Sequence, residues 1–152
     1  MGNQVNDGAS ILKIATDKNK VQEIILQASA PLNNGTDEIS MADYLVSEGV
    51  KGNLCYVNGI GSMFYDGKRW AQDPDGIKAD KELQERCKKA VKLIRSKLSE
   101  FDEKDPNQAE AKKILTARAA AVDAYSGHNK RNALMKTLRP HISRTMSSLD
   151  RL

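Results

Sequence analysis

Histidine and cysteine are scarce, with two of each in 152 residues. Cys55 and Cys87 have no CxxC spacing, so they read as reduced structural thiols, with a disulfide or redox pair as the alternative. His128 and His141 have no cysteine or carboxylate partner at ligand spacing, which argues against structural zinc. Each reads as a partly exposed helix residue, the alternative being a nucleic-acid or phosphate contact. Aromatic residues make up only 5% of the chain and concentrate in one central stretch. No run approaches the roughly 18 apolar residues of a membrane span, and no charged-then-apolar leader is present, so the expectation is a cytoplasmic protein without a membrane partner. There is no internal repeat and no low-complexity tract.

Catalytic constellations are lacking as well. The nearest approach to a phosphate loop, Gly61 to Arg69, has five residues between its glycines where a Walker loop has four. It also carries Arg69 in place of the hydroxyl and reads as a hairpin. Asp73 and Asp75, beside Pro74 and Gly76, read as turn formers rather than paired acids. No cofactor, metal site or enzyme activity is expected of this chain alone.

What is present is charge, unevenly placed. Residues 1–75 carry six Lys/Arg against ten Asp/Glu, a net −4, while residues 76–152 carry eighteen against ten, a net +8. A basic half points to a polyanionic partner, nucleic acid being the commonest. Solvated lysine-rich helix faces are the alternative. Hydrophobic content of 39% beside 29% charge supports a modest core with long solvated helix faces.

The organising stretch is Asn53 to Asp75. Asn58-Gly59 and Asp66-Gly67 each divide short β-branched and aromatic runs, and each favours a tight type I′ hairpin turn. Three antiparallel strands are predicted, near Leu54–Val57, Ile60–Tyr65 and Lys68–Gln72, with a bulge or close approach at Gly61. Strand alternation places Lys68 and Trp70 on one face and Arg69 on the other.

Upstream, Met1 to Ser10 reads as disordered. Thr16 or Asp17 caps a helix to about Ser29 with Val21, Ile24, Ile25 and Ala28 in phase. Pro31 to Thr36 is a turn-rich linker, and Ser40 caps a short helix, Met41–Glu48, stopped by Gly49. Downstream, Lys78–Phe101 is a long helix with Leu83, Cys87, Ala90, Val91, Ile94, Leu98 and Phe101 on one stripe. Its other faces carry Arg86, Lys88, Lys89, Lys92, Arg95 and Lys97. Asp105-Pro106 restarts a helix to about Tyr125, with Gln108 at the capping-box position and alanines for close packing. Asn129–Leu138 is a further helix, and Pro140 opens a last one bearing Ile142, Met146 and Leu149. The fold class expected is α+β, mostly α: an antiparallel helix bundle with a three-stranded meander near 53–72. Residues 1–36 form a flexible or weakly folded segment, and 37–152 the domain.

The meander carries a resemblance. Tyr65-Asp66-Gly67-Lys68-Arg69-Trp70, then Asp73 and a long helix, resembles the domain preceding the helicase in phage, plasmid and poxvirus-type primase-helicases. That family has a WDGKRW…D pattern, and Tyr65 stands here where Trp is usual. Ser126 to Leu134, with Leu138 and Leu149-Asp150, is similar to the family's closing segment, so the likeness covers about residues 40–152. The resemblance implies a helical accessory region between a primase part and a superfamily-three AAA+ helicase. It would bind single-stranded DNA template, have replicative helicase or primase domains as partners, and form a possible homo-oligomer in the bacterial host cytoplasm. The expectation is an excised domain or a small stand-alone product, to which ATPase activity and primer synthesis do not carry over.

Single strands are held by basic grooves and by aromatic faces on which bases stack. Two surfaces supply these: Lys68 and Arg69 beside Tyr65 and Trp70, and the basic helix (Lys88, Lys92, Arg95) with Lys130, Arg131, Lys136, Arg139 and Arg144. For Tyr56, Phe64 and Trp70 the alternative is core between meander and helices. The competing function is a protein-interaction or oligomerisation module of the same machinery without DNA contact. Its mark would be an exposed stripe at Ile142, Met146 and Leu149.

Overall fold

The computed structural model describes residues 16–28 and 35–149. The expectation for Met1 to Ser10 and most of the Pro31 to Thr36 linker lie outside these residues. The expected α+β class, mostly α, is found: six helices and one small mixed sheet among the described residues.

Helix α1 spans Lys18–Ala28. The Asp17 carboxylate accepts from the Asn19 and Lys20 N–H groups at 2.8 and 3.5 Å, supplying the predicted cap. Val21 and Ile25 are buried in the same core as the downstream helices. The Asp17 N–H also donates to Asn107 Oδ1 at 2.7 Å. A helix placed by sequence in a weakly folded segment thus contributes to the main domain.

Helix α2 spans Glu38–Ser47, and its cap is Asp37, not Ser40: the Asp37 side chain accepts from the Ser40 N–H at 2.7 Å. Starting at Glu38 buries Met41, Ala42, Tyr44 and Leu45 together. The predicted stop at Gly49 holds, with φ 86° in the left-handed region.

Strands β1 (Leu54–Val57), β2 (Gly61–Tyr65) and β3 (Trp70–Gln72) form the expected meander. Its turns are not type I′, because that turn needs positive φ at both central residues and no non-glycine residue described has it. Gly59 and Gly67 alone take the left-handed positions, at φ 85° and 100°. The second loop holds Asp66 to Arg69, so β3 starts later than expected. Gly61 has φ 105°, in keeping with a local kink at the start of β2.

Helix α3 spans Ile77–Leu98 and α4 spans Pro106–Asp123. The predicted α3 stripe is buried from Leu83 to Ile94, with Leu98 and Phe101 packed at its edge. Asp73, 5% exposed, is more than a turn former: its carboxylate accepts from the Lys78 and Ala79 N–H groups at 3.2 and 2.9 Å, capping α3. Asp105 caps α4 through the Asn107 N–H at 3.0 Å. Gln108 bonds the Asp105 side chain and the Asp102 N–H rather than closing a capping box.

The C-terminal helices differ from the expectation of a break at Pro140. Helix α5 runs from His128 to Ile142 straight through Pro140, followed by β4 (Ser143–Arg144) and α6 (Met146–Leu149). Pro140 lies in the last turn, where the lost N–H removes one bond and the helix ends anyway. Strand β4 pairs in parallel with β1, Tyr56 opposite Ser143 and Val57 opposite Arg144, giving the order β3-β2-β1-β4. The sheet therefore has four strands, not three.

One sheet face, with Leu54, Tyr56 and Phe64, packs against the helical core. The other carries Cys55, Val57 and Met63, covered by Leu149 of α6, with Trp70 at the margin. Period-two alternation along each strand makes this division.

Candidate nucleic-acid interface

The β2–β3 loop is built by Asp66. Its carboxylate accepts from the Lys68 and Arg69 N–H groups at 2.8 and 3.0 Å, and its own N–H donates to the Arg69 carbonyl at 3.1 Å. The bonds from Arg69 and Lys68 hold the Asp66 carboxyl below its ordinary pKa, so it stays ionised and the loop stays closed. Lys68 and Arg69 are both exposed in this loop, which overturns their assignment to opposite faces: strand alternation begins only at Trp70.

Beside them Tyr65 and Trp70 stand opposite each other across β2 and β3, ring centroids 5.4 Å apart and planes inclined by 49°. Both are half-buried. The Trp70 Nε1 is buried and has no hydrogen-bond partner among the described residues. Arg144 reaches back from β4 to place its guanidinium 5.6 Å from the Trp70 ring, and it also bonds Ser148 through Nε at 3.3 Å and Nη2 at 3.2 Å. Between the loop and α6 lies a depression of about 210 Å³, lined by Tyr65, Lys68, Arg69, Trp70 and Met146, with no carboxylate among the described residues of its wall. Two predicted cations and two aromatics thus line one depression, with a third predicted cation, Arg144, against the Trp70 ring.

The other predicted residues do not join them. Lys88, Lys92 and Arg95 share an exposed face of α3, where Arg95 comes within 3.9 Å of Asp123. Lys130 sits 4.9 Å from the Tyr125 ring in a depression that also holds Asp37 and Glu38, so its charge is locally offset. Lys136 is exposed. Arg139 lies on the helix side of the sheet, its guanidinium 5.0 Å from the Tyr56 ring.

Arg131, expected on the basic surface, is buried instead. It is 7% exposed and binds Asp80 at 2.8 and 3.1 Å, with further bonds to the carbonyls of Tyr125 and Ser126. Those bonds depress the Asp80 pKa and raise that of Arg131. It is a buried structural charge, unavailable to phosphate. Arg86, read as part of a solvated basic face, instead ties Glu82, the Glu48 carbonyl and Asn53 Oδ1 together at 2.9, 3.0 and 2.9 Å.

A second concavity, of about 230 Å³, separates α5 from the sheet and the start of α3. His128, Asn132, Met135 and Arg139 face it from α5, at steps of three and four residues that put them on one face. That spacing was readable in the sequence, but only the packing shows that the face meets a cavity. His128 Nε2 lies 3.1 Å from Asn132 Nδ2. Cys55 and Cys87 are free and buried, and burial pushes both thiols up, Cys87 to about 11, so neither is a thiolate nucleophile near neutrality. No group of three or more His, Cys, Asp or Glu residues placed to hold a metal ion occurs among the described residues. Nor is any described helix long and apolar enough to cross a membrane.

No family model, curated protein or solved structure matches this chain.

Proposed function

We propose that this chain binds single-stranded DNA as an accessory, template-binding module of a replication primase-helicase, and that the strand lies across the Tyr65–Trp70 surface. The observation that carries the reading is that Lys68 and Arg69 line one depression with two half-buried aromatics, with Arg144 against the Trp70 ring and no carboxylate among the described wall residues. Cations beside a stacking surface are what a flexible polyanion with π-faced bases requires. The resemblance of the YDGKRW stretch to the primase-helicase accessory domain supports the same residues independently. The protein-interaction reading is weakened, because Ile142 and Leu149 are buried and only Met146 of the expected stripe is exposed.

The test is fluorescence anisotropy of a labelled oligothymidine across a salt series, with Trp70 emission followed in parallel. Trp70 is the sole tryptophan, so quenching reports on this surface directly. Three phosphate contacts predict a slope of log K against log[salt] of about −2. Lys68→Glu/Arg69→Glu should weaken binding by about tenfold or more, and Lys130→Glu should change it by less than about twofold. No binding at about 50 mM salt, or binding unaffected by the double substitution, overturns the proposal.

A further inference from the structure

We infer that the cavity between α5 and the sheet binds a small zwitterion with an apolar body, of the size and class of a free aliphatic amino acid. The site lies on the opposite side of the sheet from the Trp70 surface and does not depend on the DNA-binding reading.

Three features of the cavity lead there. Its volume, about 230 Å³, sits below the range of about 300–1,000 Å³ for drug-sized ligands, and it is enclosed by three elements rather than spread over the surface. Its floor is apolar: Leu54, Ala79 and Ile142 are buried, with Met135 and the Tyr56 ring partly buried beside them. Its lining carries opposite charges on two different elements, Arg139 on α5 and Asp75 in the turn that opens α3.

The state of these charges decides the ligand. Asp80, also in the wall, has both oxygens engaged by Arg131 and is locally neutralised. Arg139 and Asp75 take part in none of the ion pairs formed among the described residues. Arg139 is instead held over the Tyr56 ring, which fixes its direction without neutralising it. An anion with an apolar tail would satisfy Arg139 but bring its charge toward Asp75, and an amine would do the reverse. A purely apolar ligand would partly desolvate both charges with no partner for either. A molecule with a carboxylate, an ammonium and a branched aliphatic body leaves no charge unmatched. The Asn132 amide, on the same face of α5, adds a neutral polar group to the wall.

The test is isothermal titration of the full chain with three probes that share a body: L-leucine, 4-methylpentanoate, which lacks the ammonium, and 3-methylbutylamine, which lacks the carboxylate. L-leucine should bind with a Kd of about 1 mM or tighter, and each single-charge probe should be weaker by about tenfold or more. Arg139→Gln should remove the advantage of L-leucine over the amine while keeping its advantage over the acid, and Asp75→Asn should do the converse. Both residues are exposed, and unchanged circular dichroism would establish that the variants fold. Absence of L-leucine binding at about 10 mM, equal binding of the three probes, or tighter binding of either single-charge probe overturns the inference.

Discussion

Lys130 and Arg131 are adjacent, carry the same charge, and meet opposite fates on α5. One helical residue step is about 100° of rotation, enough to leave Lys130 in solvent while Arg131 enters the core against Asp80. Arg131→Leu should therefore destabilise the protein by about 2–3 kcal/mol, since it strands a partly covered carboxylate, yet leave DNA affinity unchanged. Urea unfolding and anisotropy on the same variant test both halves. Because Arg131 depresses the Asp80 pKa, the pair's stabilisation is present above the ordinary value of 3.8 and lost as pH falls through the folded-state value. Acid titration of Asp80→Asn should show a flatter stability profile below about pH 4 than the parent chain. Tyr125 acts at the other end of the scale. Burial raises its phenol to about 12, and its hydroxyl donates to the Thr36 carbonyl at 2.9 Å. Stability tied to the neutral phenol is complete below pH 10 and lost as pH rises through about 12, a limb that Tyr125→Phe should remove.

At the scale of elements, the β2–β3 loop turns a sequence motif into a surface. Gly67 holds φ 100°, which a Cβ makes strained even though space around it is open. Gly67→Ala should cost about 1–2 kcal/mol and also weaken oligothymidine binding, because it displaces the loop that presents Lys68 and Arg69. Helix α3 depends similarly on one side chain before it. Replacing Asp73 by alanine frees two N–H groups in the first turn of α3, that of buried Ala79 among them, and should lower stability by about 1–2 kcal/mol, read from the midpoint of urea unfolding.

For the whole molecule, the question is whether α1 unfolds with the rest. Ile25, 2% exposed, belongs to one cluster with Leu115 and Leu134. Ile25→Ala should cost about 2–5 kcal/mol and shift a single transition seen alike by circular dichroism and by Trp70 emission from the far side of the sheet. Two separated transitions would show that α1 is a peripheral addition.

The local pattern of the chain determined its elements: the three- and four-residue apolar steps of α3, the Asp-Pro start of α4, and the turn glycines that separate β1, β2 and β3. These depend on neighbours within a few residues, which is why they could be read directly. The meeting of Lys68, Arg69, Tyr65 and Trp70 was readable for the same reason, since all four lie within one hairpin. What needed the fold was everything joining distant segments. Strand β4 is two residues long and exists only because β1 offers an edge, and Pro140 is tolerated only because α5 ends there. Arg144 reaches Trp70 only through the pairing of β4 with β1. The separation of the basic residues into an exposed group beside Trp70, a buried ion pair and a cavity lining also had no local signal. Charge is a property of the side chain, but exposure is set by which helix face the core claims, and that is decided in three dimensions.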